Sequence, residues 1–171
     1  MCDRFLVSLI SHHHMKLTGY HHPSMVDTVD RQTRSRIMAS VRGRDTRPEM
    51  FVRRGLHRLG FRFRVDSRDM PGSPDLKLTR HRAVIFVHGC FWHRHDGCRY
   101  ASMPRSNVDF WVEKFTRNVE RDRENERQLL KMGWRVIVVW ECTLRRRNVD
   151  RARPIEQLAD WVRGDIKTGI I

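Results

Sequence analysis

Two apolar segments constrain the fold of this chain more than any other feature. AVIFV occupies residues 83–87, and WRVIVVW occupies residues 134–140. Both are apolar almost throughout, as expected of central strands that are covered on both faces. A long amphipathic pattern lies between them and ends at Gly133, a natural helix stop. We therefore predict an α/β fold with a mixed central sheet flanked by helices.

A capping signal and two short segments predict the elements before residue 83. Thr46 and Glu49 have the spacing of a capping box, and Gly60 is a natural end for the helix that they begin. FRFRV at residues 61–65 alternates as a half-buried strand does, and DLKLT at residues 75–79 predicts another strand.

Helical patterns account for most of the remaining chain. A short basic helix is expected from Asp30 to about Val41. A long helix is expected to begin at a capping pair, Ser106 and Asp109, and to end near Met132. Its apolar side is predicted to consist of Val108, Trp111, Val112, Phe115, Val119, Leu129 and Leu130. PIEQLADWVRG near the end of the chain predicts a final amphipathic helix.

The length and the N-terminal composition suggest one domain with an extension. A chain of 171 residues suits a single domain, which we place at residues 25–171. Residues 1–24 are rich in histidine and show little periodicity, so we expect a disordered, dispensable extension with Met25 as a candidate start. The competing interpretation is a DNA-contacting tail.

The charge of the chain points to a polyanionic partner. Lys and Arg number 34 against 20 Asp and Glu, which gives a formal charge of +14. Nucleic acid is favoured over a membrane surface, because the basic residues are spread through foldable sequence. No apolar run approaches the roughly 20 residues that cross a bilayer, so we expect a cytoplasmic protein with reduced cysteines. A basic protein without such a partner is the competing interpretation.

The segment FVHGCFWHRHDGC, residues 86–98, suggests a zinc site. Cys90, His95 and Cys98 offer three ligands within nine residues, and Cys142 directly follows the second apolar segment. Four such ligands form a closed, structural Zn²⁺ site that would order a loop of little apolar content. In the alternative interpretation, the cysteines are small buried residues and the histidines are solvated.

Three further residues suggest phosphodiester hydrolysis. His88 and His93 remain at the end of the first apolar segment, and Asp75 begins the preceding predicted strand. A carboxylate that binds Mg²⁺ and a histidine that deprotonates water are the groups that such a reaction needs. Taken singly, an aspartate after a proline turn is usually a turn former, and a histidine at a strand end is usually a surface residue.

Five motifs, in order over about residues 28–164, carry a resemblance to a known family. They are RSRIMASVRGRDTRPE, PGSPDL, VIFVHGCFWHRH, FWVEKFTRNVERD and GWRVIVVWEC. The sequence resembles the very-short-patch repair (Vsr) endonucleases of bacteria. The resemblance implies a restriction-endonuclease-like fold with a zinc-ordered loop. It also implies a nickase that cuts double-stranded DNA 5′ of the T in T:G mismatches, which arise when 5-methylcytosine is deaminated.

The resemblance implies a role for each candidate residue. Asp75 and the main-chain carbonyl of Val87 would bind Mg²⁺, and His93 would be the general base. Glu49 and His88 would lie nearby and contact water on the metal. Zinc would be held by Cys90, His95, Cys98 and Cys142.

The resemblance also gives three aromatic residues a role in DNA binding. Phe91, Trp92 and Trp111 match the positions that the family inserts into the base stack beside the mismatch. Adjacent aromatics in a polar loop favour this role for Phe91 and Trp92. For Trp111, a core position on its helix is an equal alternative.

Three positions depart from the family or stand outside its pattern. The zinc loop has one residue more than the family between His95 and Cys98, an insertion at Asp96–Gly97. Val87 replaces a threonine. Asp122 interrupts the apolar side of its helix, and we expect a solvated residue there.

Partners and competing functions complete the expectations from sequence. We expect a monomer that acts on nucleoid DNA, has no membrane partner and is joined by other repair proteins. A zinc-ordered DNA-binding module without chemistry is the main alternative function. An RNA-processing nuclease is less favoured, because no RNA-stacking sheet motif is present.

Overall fold

A computed structural model of the chain describes residues 43–145 and 152–171, together with Gln32, Thr33 and Arg36. The α-helices whose full length is described are α1 (Arg47–Arg58), α2 (Val108–Lys131), α3 (Glu141–Leu144) and α4 (Arg153–Arg163), and a 3-10 turn spans Thr79–His81. Its strands are β1 (Leu76–Leu78), β2 (Ala83–His88), β3 (Arg135–Trp140) and β4 (Thr168–Ile170). The expected N-terminal extension, and all but three residues of the expected helix from Asp30 to about Val41, lie outside the described residues.

The four strands form one mixed sheet in the order β1-β2-β3-β4. β1 is antiparallel to β2, whereas β2, β3 and β4 are parallel to one another. The register pairs Ala83 with Arg135 at one end of β2 and His88 with Trp140 at the other. The loop after β2 and the helix after β3 therefore start side by side at the same edge of the sheet.

The two apolar segments are covered on both faces, as predicted for central strands. Ala83 and Ile85 of β2 pack in a core cluster with Val52 and Leu56 of α1 and with α4 residues such as Leu158. Val84 packs in a second cluster on the other face, which contains Leu129 of α2, Met70, Trp134 and Val136. The α/β prediction with a mixed, helix-flanked sheet is confirmed.

The predicted strand FRFRV at residues 61–65 is wrong. This segment makes only an isolated bridge between Arg64 and Lys77, closed by two backbone hydrogen bonds of 3.0 and 2.8 Å. The chain then turns at Asp66, whose φ is 53°. The alternation has a different cause, because Phe61 is buried against the core cluster without being part of the sheet.

The long helix is confirmed, but its predicted start and apolar side are only partly correct. α2 begins after Asn107, which adopts a left-handed conformation and makes no side-chain cap hydrogen bond, so Ser106 is not the N-cap. Of the predicted apolar side, Phe115 and Leu129 are buried, whereas Val108 and Val112 are exposed. The first turns of α2 pack against the preceding loop, since the rings of Trp111 and Phe115 both contact the ring of Phe91.

Two short elements have no counterpart in the predictions, namely α3 and β4. Each contains fewer than five residues, too few to show periodicity. Among the described residues, no helix combines the length and hydropathy needed to cross a membrane.

Candidate functional site

A cleft of about 960 Å³ opens at the edge of the sheet where β2 and β3 end. Residues from α1, from the start of β1, from the end of β2 and from α2 line it. Its walls include the expected catalytic residues Glu49, Asp75, Val87, His88 and His93. The fold thus brings together side chains that are far apart in sequence.

Asp75 is held beside the end of β2. Its carboxylate accepts a 2.7 Å hydrogen bond from the backbone N–H of Val87. The pKa of Asp75 is raised to about 6, mainly by burial. The Val87 hydrogen bond opposes this shift, the charge of Glu49 adds to it, and the charge of Arg53 opposes it. A cation beside this carboxylate would favour its charged form. The oxygen donors and the buried charge therefore fit Mg²⁺, a hard cation.

Glu49 is anchored in the capping box that the sequence predicts. The Thr46 side chain accepts from the Glu49 N–H and donates to the Glu49 carboxylate at 2.8 Å. The reciprocal backbone bond comes from the N–H of Asp45, at 2.9 Å, rather than from that of Thr46. These bonds fix the carboxylate at the N-terminus of α1, next to Asp75 in the cleft.

Arg53 is a site residue that the sequence reasoning missed. Its guanidinium donates to Glu49 at 3.0 Å, and its charge lowers the pKa of Asp75. Among the described residues, its buried Nε atom has no hydrogen-bond partner. The sequence feature that could have revealed Arg53 is its position four residues after Glu49, because this spacing places both side chains on the same face of a helix.

His88 and His93 form a stacked pair. Their ring centroids are 3.8 Å apart and their planes differ by 10°. Burial lowers the pKa of His88 to about 3, and the neighbouring His93 adds to this shift. His88 is therefore neutral at physiological pH, so it can lie against a second imidazole without charge repulsion.

His93 is hydrogen-bonded to Asp122 on α2. The distance from His93 Nδ1 to the Asp122 carboxylate is 2.6 Å. This contact corrects our expectation that Asp122 is a solvated helix residue. The sequence feature that indicated another role is that Asp122 interrupts the apolar side of the helix. With Nδ1 donating to the carboxylate, Nε2 of His93 is left as a proton acceptor.

The four expected zinc ligands converge. Their ligand atoms all lie within 4.8 Å of one another. His95 Nδ1 is 3.6 Å from the Cys90 sulfur and 3.3 Å from the Cys142 sulfur. In tetrahedral geometry, Zn–S and Zn–N bonds of about 2.3 and 2.0 Å place sulfur and nitrogen about 3.5 Å apart. The cluster of Cys90, His95, Cys98 and Cys142 therefore fits a Zn²⁺ ion.

The local chemistry of this zinc cluster also fits a metal. Burial raises the pKa of the Cys90 thiol to about 12, so a cation is needed to hold it as a thiolate. Gly97 lies in this loop with a φ of +63°, and a Cβ there would face open space. The chain turns at this glycine, and the four ligand atoms on either side of it in sequence lie within 4.8 Å of one another.

The three candidate intercalating residues pack together at one end of the cleft. Phe91 lies 5.1 Å from Trp92 and 5.5 Å from Trp111, measured between ring centroids. All three side chains are partly exposed. Phe110, which the sequence reasoning did not select, lies 5.4 Å from Trp111 and is 51% exposed. This aromatic cluster projects beyond the core and offers flat apolar surfaces.

Comparison with known proteins agrees with this geometry. Residues 26–99 match the family described as DNA mismatch endonuclease Vsr. The chain is 43% identical over 129 residues to the Type II nicking enzyme V.NmeAIP of Neisseria meningitidis serogroup A, covering 75% of this chain and 91% of that protein. It is 43% identical over 143 residues to the DNA mismatch endonuclease Vsr of Escherichia coli K12, covering 82% and 90%. It is 47% identical over 120 residues to the Type II nicking enzyme V.XorIIP of Xanthomonas oryzae, covering 70% and 88%.

Proposed function

The chain belongs to the Vsr family of DNA mismatch endonucleases, which have a restriction-endonuclease-like fold, and from this premise we propose what it cuts and how. Its substrate is double-stranded DNA, which it nicks 5′ of the T in T:G mismatches left by deamination of 5-methylcytosine. The nick begins very-short-patch repair. The observation that carries this proposal is the convergence of Asp75, His93 and Asp122, from three separate parts of the chain, in one cleft.

His93 is the proposed general base. Its Nε2 accepts a proton from the attacking water, whose oxygen bonds to phosphorus as the bond from phosphorus to the 3′ oxygen of the preceding sugar breaks. That oxygen leaves and takes a proton from solvent water, which gives a 3′ hydroxyl and a 5′ phosphate on the T. Asp122 holds Nδ1 of His93 and stabilises the imidazolium that forms. His88 stays neutral and packs flat on His93, which keeps the ring of the base in place.

Asp75 and the main-chain carbonyl of Val87 are the proposed ligands of Mg²⁺. When bound there, this ion neutralises charge that develops on the phosphate. Glu49 lies beside Asp75, fixed by its hydrogen bonds at the start of α1. It orients water at the edge of the site, and Arg53 balances its charge.

The zinc cluster and the aromatic cluster select the substrate in this proposal. Zn²⁺ on Cys90, His95, Cys98 and Cys142 fixes the loop that carries Phe91, Trp92 and His93. The exposed rings enter the base stack, which costs a few kcal/mol of unstacking and costs least at a poorly paired step. Mismatch preference therefore follows from the energetics of insertion.

The enzyme acts, in this proposal, as a single domain formed by residues 25–171. We expect a monomer in the bacterial cytoplasm, associated with the nucleoid when bound to DNA. The high positive charge supports binding to any duplex, while recruitment of other repair proteins would follow the nick.

A strand-incision assay tests the function. A labelled duplex with one T:G pair, in a panel of flanking sequences, is incubated with the protein and Mg²⁺. We expect a single nick 5′ of the T, at a rate about 100-fold above that of the matched T:A duplex, because the aromatic insertion costs less at a mispair. EDTA should stop the reaction. Intact T:G duplexes in every context would support the alternative of a DNA-binding module without chemistry.

Removing an aromatic ring should weaken mismatch binding. Trp92→Ala is expected to raise the Kd for a T:G duplex by about 10-fold to 100-fold, since one base–aromatic stack contributes ~1–3 kcal/mol. The measurement is fluorescence of 2-aminopurine placed beside the mismatch, which brightens when the stack opens. Leu59→Ala is the control, because Leu59 is an exposed apolar residue next to α1 and outside the cleft. Equal brightening by Trp92→Ala and the unmodified protein would rule out insertion of this ring.

A further inference from the structure

A continuous series of aromatic rings links the zinc cluster to the catalytic histidines. His93 stacks on His88, and the His88 ring lies edge-on to Trp140, with centroids 5.5 Å apart and planes at 71°. Trp140 in turn stacks on His95, with centroids 4.1 Å apart and planes within 4°. One indole therefore contacts both a zinc ligand and a histidine of the active site.

The backbone holds Trp140 firmly in this place. It is the last residue of β3 and pairs in register with His88 of β2. Its N–H donates to the carbonyl of Ile171 at 2.8 Å. Trp140 is only partly buried, lines the cleft and belongs to neither core cluster. Filling the core is therefore not its main role.

His95 depends on this contact for its orientation. A histidine that binds metal usually donates its second ring N–H to a carboxylate or carbonyl, which fixes the ring. In the described part of the chain, Nε2 of His95 makes no such hydrogen bond, and the parallel stack on Trp140 takes its place. The same indole limits how far the ring of His88 can tilt, and His88 supports His93.

We propose that Trp140 is a positioning residue that couples the geometry of the zinc cluster to that of the His88–His93 pair. This proposal rests on the proposed function, in which His93 is the base and the Cys3His cluster holds zinc. Loss of the indole frees both rings, and a displacement of about 1 Å at a catalytic group can lower the rate about 100-fold. A bound metal is less affected, because all four ligands remain.

The test uses the full chain with three substitutions. Trp140→Leu removes the ring, Trp140→Phe keeps a smaller ring, and Trp134→Leu removes an indole near the other end of β3, in the second core cluster. Each protein is loaded with Co²⁺ in place of zinc, and the visible absorption bands report the geometry at the three sulfurs and the imidazole. Nicking of the T:G duplex gives kcat and KM separately.

Trp140→Leu should bind one Co²⁺ with shifted bands and about 10-fold weaker affinity, the lower end of what outer contacts of a metal site contribute. Its kcat should fall about 100-fold with an unchanged KM. Trp140→Phe should show intermediate values, and Trp134→Leu should keep the original bands and kcat. Original bands together with the original kcat in Trp140→Leu would overturn the proposal. So would a raised KM with normal kcat, which would make Trp140 a DNA contact.

The proposal can still be tested if Trp140→Leu does not fold or if the unmodified protein is inactive. If Trp140→Leu does not fold, the result for Trp140→Phe decides whether the proposal holds. Shifted Co²⁺ bands and a lowered kcat in Trp140→Phe would support the coupling. The original bands and the original kcat would refute it. If the unmodified protein nicks no T:G duplex, the proposed function is wrong. The coupling between the zinc cluster and the His88–His93 pair can still be measured by NMR, because that measurement does not need activity. Metal loading should then shift the ring signals of His88 and His93, and Trp140→Leu should weaken that shift; equal shifts in both proteins would overturn the proposal.

Discussion

His93→Ala is expected to lower kcat for nicking a T:G duplex by about 1,000-fold to 10,000-fold, the upper part of the range for loss of a general base. Binding to the mismatch should remain, because the aromatic cluster does not depend on the imidazole. Incision under single-turnover conditions measures the first effect, and equilibrium binding to the same duplex measures the second. Asp75→Ala, which removes the proposed Mg²⁺ ligand, should lose turnover to a similar extent.

A second variant, at Asp122, tests whether His93 acts as a base or only has a structural role. Asp122→Asn keeps the shape of the side chain but removes the charge that stabilises a protonated His93, so we expect a loss of about 100-fold in kcat. His57→Ala is the control, because His57 is exposed in the last turn of α1. If His93→Ala instead loses zinc or fails to fold, His93 belongs to the zinc cluster and the assignment of the base is wrong.

Removal of zinc should produce the largest loss of stability. Without the ion, the four ligands from the loop after β2 and from α3 are no longer held together. We expect the free energy of unfolding to fall by ~5 kcal/mol, which corresponds to a fall in Tm of about 10–20 °C for a domain of this size. Differential scanning calorimetry with a strong chelator measures the change. Zn²⁺ should restore the original Tm, whereas Mg²⁺ should not.

Substitution of single cysteines checks the ligand set. Cys142→Ser should mimic the chelator, because it removes the one ligand that comes from another part of the chain. Cys2→Ser, which alters a cysteine in the expected N-terminal extension, is the control and should keep both the zinc content and the Tm. A zinc-loaded Cys142→Ser protein with the original Tm would show that the cluster does not stabilise the fold.

Local patterns in the sequence were enough to predict the two central strands and the convergence of Cys90, His95, Cys98 and Cys142. The two apolar segments gave both central strands, and Cys142 could be linked to Cys90 because each residue follows one of these strands. Parallel neighbours end at the same edge, so the contact follows from the order of the elements.

Other parts of the site depend on contacts that local patterns do not contain. The bond between His93 and Asp122 requires α2 to lie over the cleft at one particular rotation, and an aspartate on a helix is usually solvated. The position of Arg53 depends on the same kind of packing, between α1 and the start of β1. FRFRV alternates as a strand does, yet its apolar residues pack on the core without joining the sheet.

The membership of Cys98 and Cys142 in one ligand cluster has a consequence for how the chain folds. In the sequence, Cys98 precedes α2 and Cys142 follows β3, so all four ligands come together only after that crossover has docked and β3 has aligned beside β2. Because such non-local contacts form slowly, tight metal uptake should be a late step in folding. An immature chain would offer three ligands and hold the ion weakly, so metal bound by all four ligands would stabilise the finished fold and protect it from proteolysis.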